Sequence, residues 1–196
     1  EITFQCTAPM AGSYSALLTV THNAPDSPAL YTITCNVSTP ADGANSDFDG
    51  DGNADIAWQN LATGELLMWW MDGPQRLSQH AFSPDKVPGA GWRVVGAADF
   101  NRDGRADVLL QNTKTGALRQ WFMKGNAKIG EANVTPSWVN DPALRVVGVG
   151  DFNGDGKPDV LRQGSGKMAL NVVYLNGAVA TSQASVNPDK SASSKA

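Results

Sequence analysis

The sequence repeats itself every 52 residues. Three segments align without a gap: Asp47 to Gly73, Asp99 to Gly125 and Asp151 to Gly177. Each opens with an acidic nonapeptide, DFDGDGNAD, DFNRDGRAD or DFNGDGKPD, and continues into a short apolar stretch, IAWQN, VLLQN or VLRQG. A turn rich in Thr, Ser, Gly and Lys follows, then LLMWWMDG, LRQWFMKG or LNVVYLNG. Matching positions carry matching chemistry: Gln59, Gln111 and Gln163; Leu66, Leu118 and Leu170; Trp70, Phe122 and Tyr174. The second and third units are preceded by WRVVGAADF and LRVVGVGDF, and further strands read in Lys128–Thr135 and Ala178–Val186. Four short strands at a fixed period describe one blade of a propeller. The chain is therefore expected to be all-β, with three four-stranded propeller-type blades forming a partial β-propeller.

The blades are expected over residues 47–186, at about 47–90, 91–140 and 141–186. The first unit has no RVVG-like strand before it. Ser38–Ser46 reads instead as a linker, so the first blade is expected to lack an inner strand of its own. Residues 1–37 form a separate, partial β segment of sandwich-like type, too short to hold a core alone. Residues 187–196, rich in Ser, Ala and Lys, are expected to be disordered. In that first segment Cys6 and Cys35 each lie in an alternating, β-branched stretch. Two adjacent strands would bring them together as a disulfide; the alternative is two separate buried thiols.

Each nonapeptide spaces oxygen-bearing side chains at positions 1, 3, 5 and 9, with glycine at position 6 permitting a sharp reversal. Alternate residues of such a loop converge on one point. A hard cation wanting six to eight oxygens fits this set, and zinc, which prefers His and Cys, does not. The first loop offers Asp47, Asp49, Asp51 and Asp55, with the carbonyl of Asn53. The second offers Asp99, Asn101, Asp103 and Asp107 with the Arg105 carbonyl, and the third Asp151, Asn153, Asp155 and Asp159 with the Lys157 carbonyl. Two carboxylates about 4 Å apart repel by roughly 4 kcal/mol at an effective dielectric of 20, an arrangement that a cation relieves. Three calcium ions are expected. An EF-hand needs an acidic ligand at position 12; Trp58, Leu110 and Arg162 stand there, so the EF-hand and the dockerin both fail.

The three nonapeptides, the strands after them and the WWMDG, WFMKG and YLNG endings resemble the FG-GAP/VCBS repeats of integrin-α-like and related secreted bacterial propellers. The resemblance covers roughly residues 47–186. It implies a β-propeller with calcium in a loop between the first two strands of each blade. The stretch AGSYSALLTVTHNAPDSPALYTITC resembles the end of an immunoglobulin-like module of bacterial surface proteins.

Hydrophobic residues make up 41 % and charged residues only 17 %, against a typical charged share of about 25 %. That composition excludes a disordered chain, and a formal net charge of -4 gives no footing for nucleic acid. No apolar run approaches the roughly 20 residues of a membrane helix. Ten of the 19 acidic residues lie in the three loops. Three bound divalent cations would move the formal charge from -4 to +2, leaving a mildly basic surface.

No catalytic constellation is visible. His22 and His80 stand apart without partners at ligand spacing, and Ser165 lacks a nucleophile-elbow context. The expected function is a non-catalytic, calcium-stabilised binding or adhesion module, secreted or at the cell surface. The rivals are a lectin-like propeller binding a glycan and an accessory domain of a larger secreted hydrolase. Trp92 and Trp138, in loops ahead of the inner strands, are the candidate ligand-stacking residues, the alternative being that they cap the gaps between blades. Three blades are fewer than a closed ring requires: either the sequence is a piece of a longer propeller, or chains self-associate to complete one, and of the two self-association is the favoured expectation.

Overall fold

A computed structural model describes residues 12–20, 29–37, 46–164 and 170–186. The chain divides into two compact units, Glu1–Asp42 and Gly43–Ala196. In the first, β1 (Gly12–Val20) and β2 (Ala29–Val37) form an antiparallel hairpin with Gly12 opposite Val37. Cys35 lies on β2, opposite Tyr14. Cys6 lies outside the described residues, and so does the expected pairing. The expected linker and tail lie outside them too, but for Ser46.

The second unit is all-β, a row of three antiparallel meanders. The first holds β3 (Ile56–Gln59), β4 (Glu65–Asp72) and β5 (Gln75–Lys86). The second holds β6 (Trp92–Ala98), β7 (Asp107–Asn112), β8 (Leu118–Lys124) and β9 (Ala127–Asn133). The third holds β10 (Leu144–Gly150), β11 (Asp159–Gly164), β12 (Leu170–Asn176) and β13 (Val179–Ser185). Each strand pairs with the next in its own meander, as in a propeller blade. Two blades therefore have four strands, whereas the first has three among the described residues. Nothing in residues 46–55 forms a strand ahead of β3; the stretch that the 52-residue period would assign to an inner strand, 40–46, lies outside the described residues but for Ser46.

The core lies between blades rather than within them. One apolar cluster sets Phe48, Leu66, Met68, Phe82 and Val87 of the first blade against Val108, Leu110, Trp121 and Met123 of the second. The other sets Phe100, Leu109, Leu118, Val134 and Val139 of the second blade against Val146, Val160, Val173 and Leu175 of the third. Side chains alternate across a strand, so Val108 and Leu110 face one neighbour and Leu109 the other. This explains the unbroken apolar run Val108-Leu109-Leu110: β7 is buried on both faces.

Polar stitches repeat at both joints. Gln59 donates from Nε2 to the Trp92 carbonyl (2.9 Å) and accepts from Val94 N at Oε1 (2.9 Å). Gln111 does the same 52 residues later, with the Leu144 carbonyl (2.8 Å) and Val146 N (3.1 Å). Each glutamine thus holds the inner strand of the following blade. At the outer rim, Ser83 bridges Ala127 and Thr135 bridges Val179, both parallel. A buried arginine adds to the second joint. Arg162 Nη1 donates to the Val139 carbonyl (2.6 Å) and Nη2 to Asn171 Oδ1 and Gln183 Oε1 (2.8 and 3.0 Å).

Candidate metal centre

The nonapeptides lead into β3, β7 and β11, and the three loops share one hydrogen-bond plan. Position 1 folds the loop around its own carboxylate. Asp47 accepts from Gly50 N at Oδ1 (2.7 Å) and from Gly52 N at Oδ2 (2.9 Å). Asp99 accepts from Asp103 N and Gly104 N (3.0 and 2.7 Å). Asp151 accepts from Gly154 N, Asp155 N and Gly156 N (2.7, 3.1 and 2.8 Å). These donors, Gly156 first, hold the Asp151 carboxyl below its ordinary value.

Positions 3 and 5 each close a local turn two residues on, as short Asp and Asn side chains readily do. Asp49, Asn101 and Asn153 accept from the N–H of Asp51, Asp103 and Asp155. Those three carboxylates in turn accept from the N–H of Asn53, Arg105 and Lys157. The chain must pass through left-handed backbone at positions 4 and 6. Glycine supplies it at Gly50, Gly52, Gly104, Gly154 and Gly156, but position 4 of the second loop is Arg102, at φ 63°. A left-handed arginine costs about 1 kcal/mol. Arg102→Gly is therefore expected to raise stability by a few tenths to about 1 kcal/mol, part of the gain being offset by the greater freedom of an unfolded glycine. Urea denaturation checks this, and a loss of stability would contradict it.

Position 9 does something its spacing alone does not reveal. Asp55 accepts from Phe48 N at Oδ2 (2.8 Å) and from Met71 N at Oδ1 (3.0 Å). Asp107 accepts from Phe100 N and Asn101 N at Oδ2 (3.1 and 3.2 Å) and from Met123 N at Oδ1 (2.9 Å). Asp159 bonds Phe152 N and Leu175 N in the same way (3.0 and 2.9 Å). All three carboxylates are buried. Each clamps the start of its loop to the strand after next in the chain's path, β4, β8 or β12. Burial pushes the Asp107 carboxyl up to about 7, with Asp103 and Asp99 adding to the rise and the backbone donors opposing it. Asp159 is raised by the same cause. Asp49 is raised too, by desolvation and then by its neighbouring carboxylates.

A carboxylate oxygen that accepts one N–H keeps a second lone pair, so clamp and ligand are compatible roles. In the first loop one carboxylate oxygen from each of Asp47, Asp49 and Asp55 lies within 4.8 Å of the other two. Asp51 stands outside that trio, accepting from both the backbone and the side-chain amide of Asn53. In the second and third loops Asn101 and Asn153 occupy the place of Asp49. The donor set is all oxygen and mostly acidic, which fits a hard divalent cation and not a thiophilic one. A cation held by these residues would supply charge neutralisation to the loop.

The two candidate ligand tryptophans are not alike. Trp92 is half-buried against the first inter-blade cluster, with the Arg119 guanidinium 4.8 Å over its ring and its carbonyl held by Gln59. Trp138 is exposed, on a 3-10 turn at Ser137–Val139 between the second and third blades. Trp138 is thus open to a ligand ring, whereas Trp92 serves the joint.

No curated protein sequence and no solved structure matches the chain. Residues 47–110, which hold the first two acidic loops and part of the first inter-blade joint, match the family model of the FG-GAP-like repeat, and over that stretch the chain is similar to that family.

Proposed function

We propose that this chain is a non-catalytic binding module of a secreted or cell-surface protein, whose blades are stiffened by calcium in the three acidic loops. The observation that carries the reading is the loop plan itself, built three times. In each loop backbone N–H groups bind the side-chain oxygens at positions 1, 3 and 5 and a buried aspartate at position 9 ties the loop to the blade, and in the first loop oxygens of Asp47, Asp49 and Asp55 lie within 4.8 Å of one another. The match of residues 47–110 to the FG-GAP-like repeat supports it, as does the resemblance of all three units to the repeats of integrin-α-like and related secreted bacterial propellers. No helix among the described residues is long and apolar enough to cross a membrane.

Calorimetric titration tests the reading. Calcium added to metal-free protein is expected to bind at three sites, with affinity in the extracellular range of about 10⁻⁴–10⁻³ M or somewhat tighter. Magnesium, which demands a smaller octahedral cage, is expected to compete poorly. A titration with no heat beyond dilution, repeated at two temperatures, would overturn the calcium role.

A further inference from the structure

One peptide group joins the first acidic loop to the second. Its N–H, that of Phe48, donates to Asp55 Oδ2 (2.8 Å), the position-9 carboxylate of the first loop. Its carbonyl, that of Asp47, accepts from Ala106 N (3.0 Å) in the second loop. Ala106 stands between Arg105, whose carbonyl is a candidate ligand, and Asp107, the position-9 carboxylate of the second loop. A peptide group is planar, so its two ends do not turn independently. The contact is closed to solvent: Asp47, Phe48 and Ala106 are 6 %, 1 % and 4 % exposed, and Phe48 and Ala106 share one apolar cluster.

The second loop does not pass this bond on to the third. The peptide between Asp99 and Phe100 repeats one half of it, Phe100 N donating to Asp107 Oδ2 (3.1 Å). Position 8 of the third loop is Pro158 where the second loop has Ala106, and proline has no N–H to donate. The two joints thus differ in one backbone bond, although the glutamine bonds of Gln59 and Gln111 match.

We propose that the first and second acidic loops take up calcium cooperatively, each raising the other's affinity about three- to tenfold, the worth of one hydrogen bond, while the third loop binds on its own. The proposal rests on the calcium reading above. With a cation in the first loop, the Asp47 and Asp55 carboxylates lose freedom, and the peptide group that both of them hold loses it too. The Asp47 carbonyl is then a fixed acceptor for Ala106 N, and the Arg105 carbonyl and Asp107 carboxylate on either side are ordered before their own cation arrives. A site whose donors are already ordered loses less conformational entropy on binding, which gives cooperativity without a change of fold. Linkage makes the factor the same in both directions. Charge opposes it, since a cation in one loop reduces the negative field at the next. That longer-range effect is screened over about 8 Å at physiological ionic strength, whereas the buried hydrogen bond is not.

Nuclear magnetic resonance at physiological salt tests the proposal, because the position-6 amides of Gly52, Gly104 and Gly156 report the three loops separately as calcium is added. Asp49→Ala removes an exposed candidate ligand from the first loop. It is expected to move the Gly104 midpoint to about three- to tenfold more calcium and to leave the Gly156 midpoint where it was. Ala106→Pro copies the third loop into the second. Its Gly104 is expected to respond to calcium still, and adding Asp49→Ala to it is expected to leave the Gly104 midpoint unmoved. Pro158→Ala gives position 8 of the third loop an N–H, so that Asp103→Ala in that background is expected to move the Gly156 midpoint; this pair carries the test if Ala106→Pro does not fold. In Asp103→Ala alone, where the second loop is emptied, calcium is still expected to slow deuterium exchange of the Ala106 amide. A Gly104 midpoint that ignores Asp49→Ala overturns the proposal, and so does a shift that Gly156 shares or that survives Ala106→Pro. A Gly156 midpoint unmoved in the Pro158→Ala pair, or an Ala106 amide whose exchange calcium does not slow, overturns it as well. Glycine amides that calcium leaves unmoved in the unaltered chain overturn the calcium reading itself, whereas three responses with independent midpoints overturn the coupling alone.

Discussion

Replacing Asp107 by alanine is expected to cost about 3–5 kcal/mol and to do so even without calcium. The carboxylate is fully buried and accepts from three backbone donors, Phe100 N, Asn101 N and Met123 N. Alanine leaves those donors facing apolar surroundings, each an unmade bond worth about 1–3 kcal/mol. Water is a poor substitute, since the site lies beside Val108 and Met123, both fully buried. Asn is no rescue either: one of its ends is an amino group, which would meet donors rather than acceptors. Asp103→Ala is the informative companion. That side chain is exposed and receives only local turn bonds from Arg105 N and Asn101 Nδ2, so its loss costs about 1 kcal/mol or less in metal-free protein. In saturating calcium both substitutions are expected to remove the stabilisation due to the second site. Thermal melts of the two variants with and without calcium separate clamp from ligand. Equal losses in metal-free protein would mean that Asp107 has no clamp role.

That distinction also marks where the sequence stopped being legible. A polar residue repeated at one place in an apolar strand signals a buried partner, and Gln59 and Gln111 stand out in that way. Their partners, however, sit 33 and 35 residues ahead on another blade, beyond what strand periodicity reports. Asp55, Asp107 and Asp159 are legible as loop oxygens from their spacing. Their second bond, to a backbone 16 residues on, depends on how β4, β8 or β12 folds back. Position 4 of the loops, Gly, Arg and Gly, carries a backbone demand that the ligand pattern alone does not express. Tryptophans mislead for a different reason. Trp58 and Trp121 both fall in repeat strands, yet Trp121 is buried and Trp58 is not, because burial here depends on having a blade on the correct side. The period sets the blade; only the assembled row decides which of its faces are covered.

The strongest response of the whole molecule is expected when pH and calcium are varied together. In metal-free protein Asp107 holds its proton up to about pH 7, whereas the unfolded carboxyl releases it near 3.8. Between those values the folded state binds more protons than the unfolded one, so stability falls as pH rises. Asp159 and Asp49 are raised as well and act with the same sign. Asp151, lowered by its backbone donors, and Glu131, lowered chiefly by its bond to Lys128, act oppositely, but theirs is stability lost only as pH drops through the ordinary carboxyl range. From pH 5 to 7.5 the raised groups therefore dominate, and metal-free protein is expected to lose on the order of 2 kcal/mol, a drop of roughly 5 °C in melting temperature. Calcium reverses the slope, because a bound cation favours the ionised carboxylates. With affinities of about 10⁻⁴–10⁻³ M, 5 mM calcium stabilises each site by roughly 1–2 kcal/mol at pH 7.5, and three sites raise the melting temperature by about 10 °C or more. At pH 5 protons compete for the same oxygens and the gain shrinks. Melts at both pH values, with and without calcium, give four temperatures whose order is the prediction: without calcium the acidic sample melts higher, and with it the neutral one does. An order that calcium leaves unchanged would sever the link between the buried aspartates and the cation.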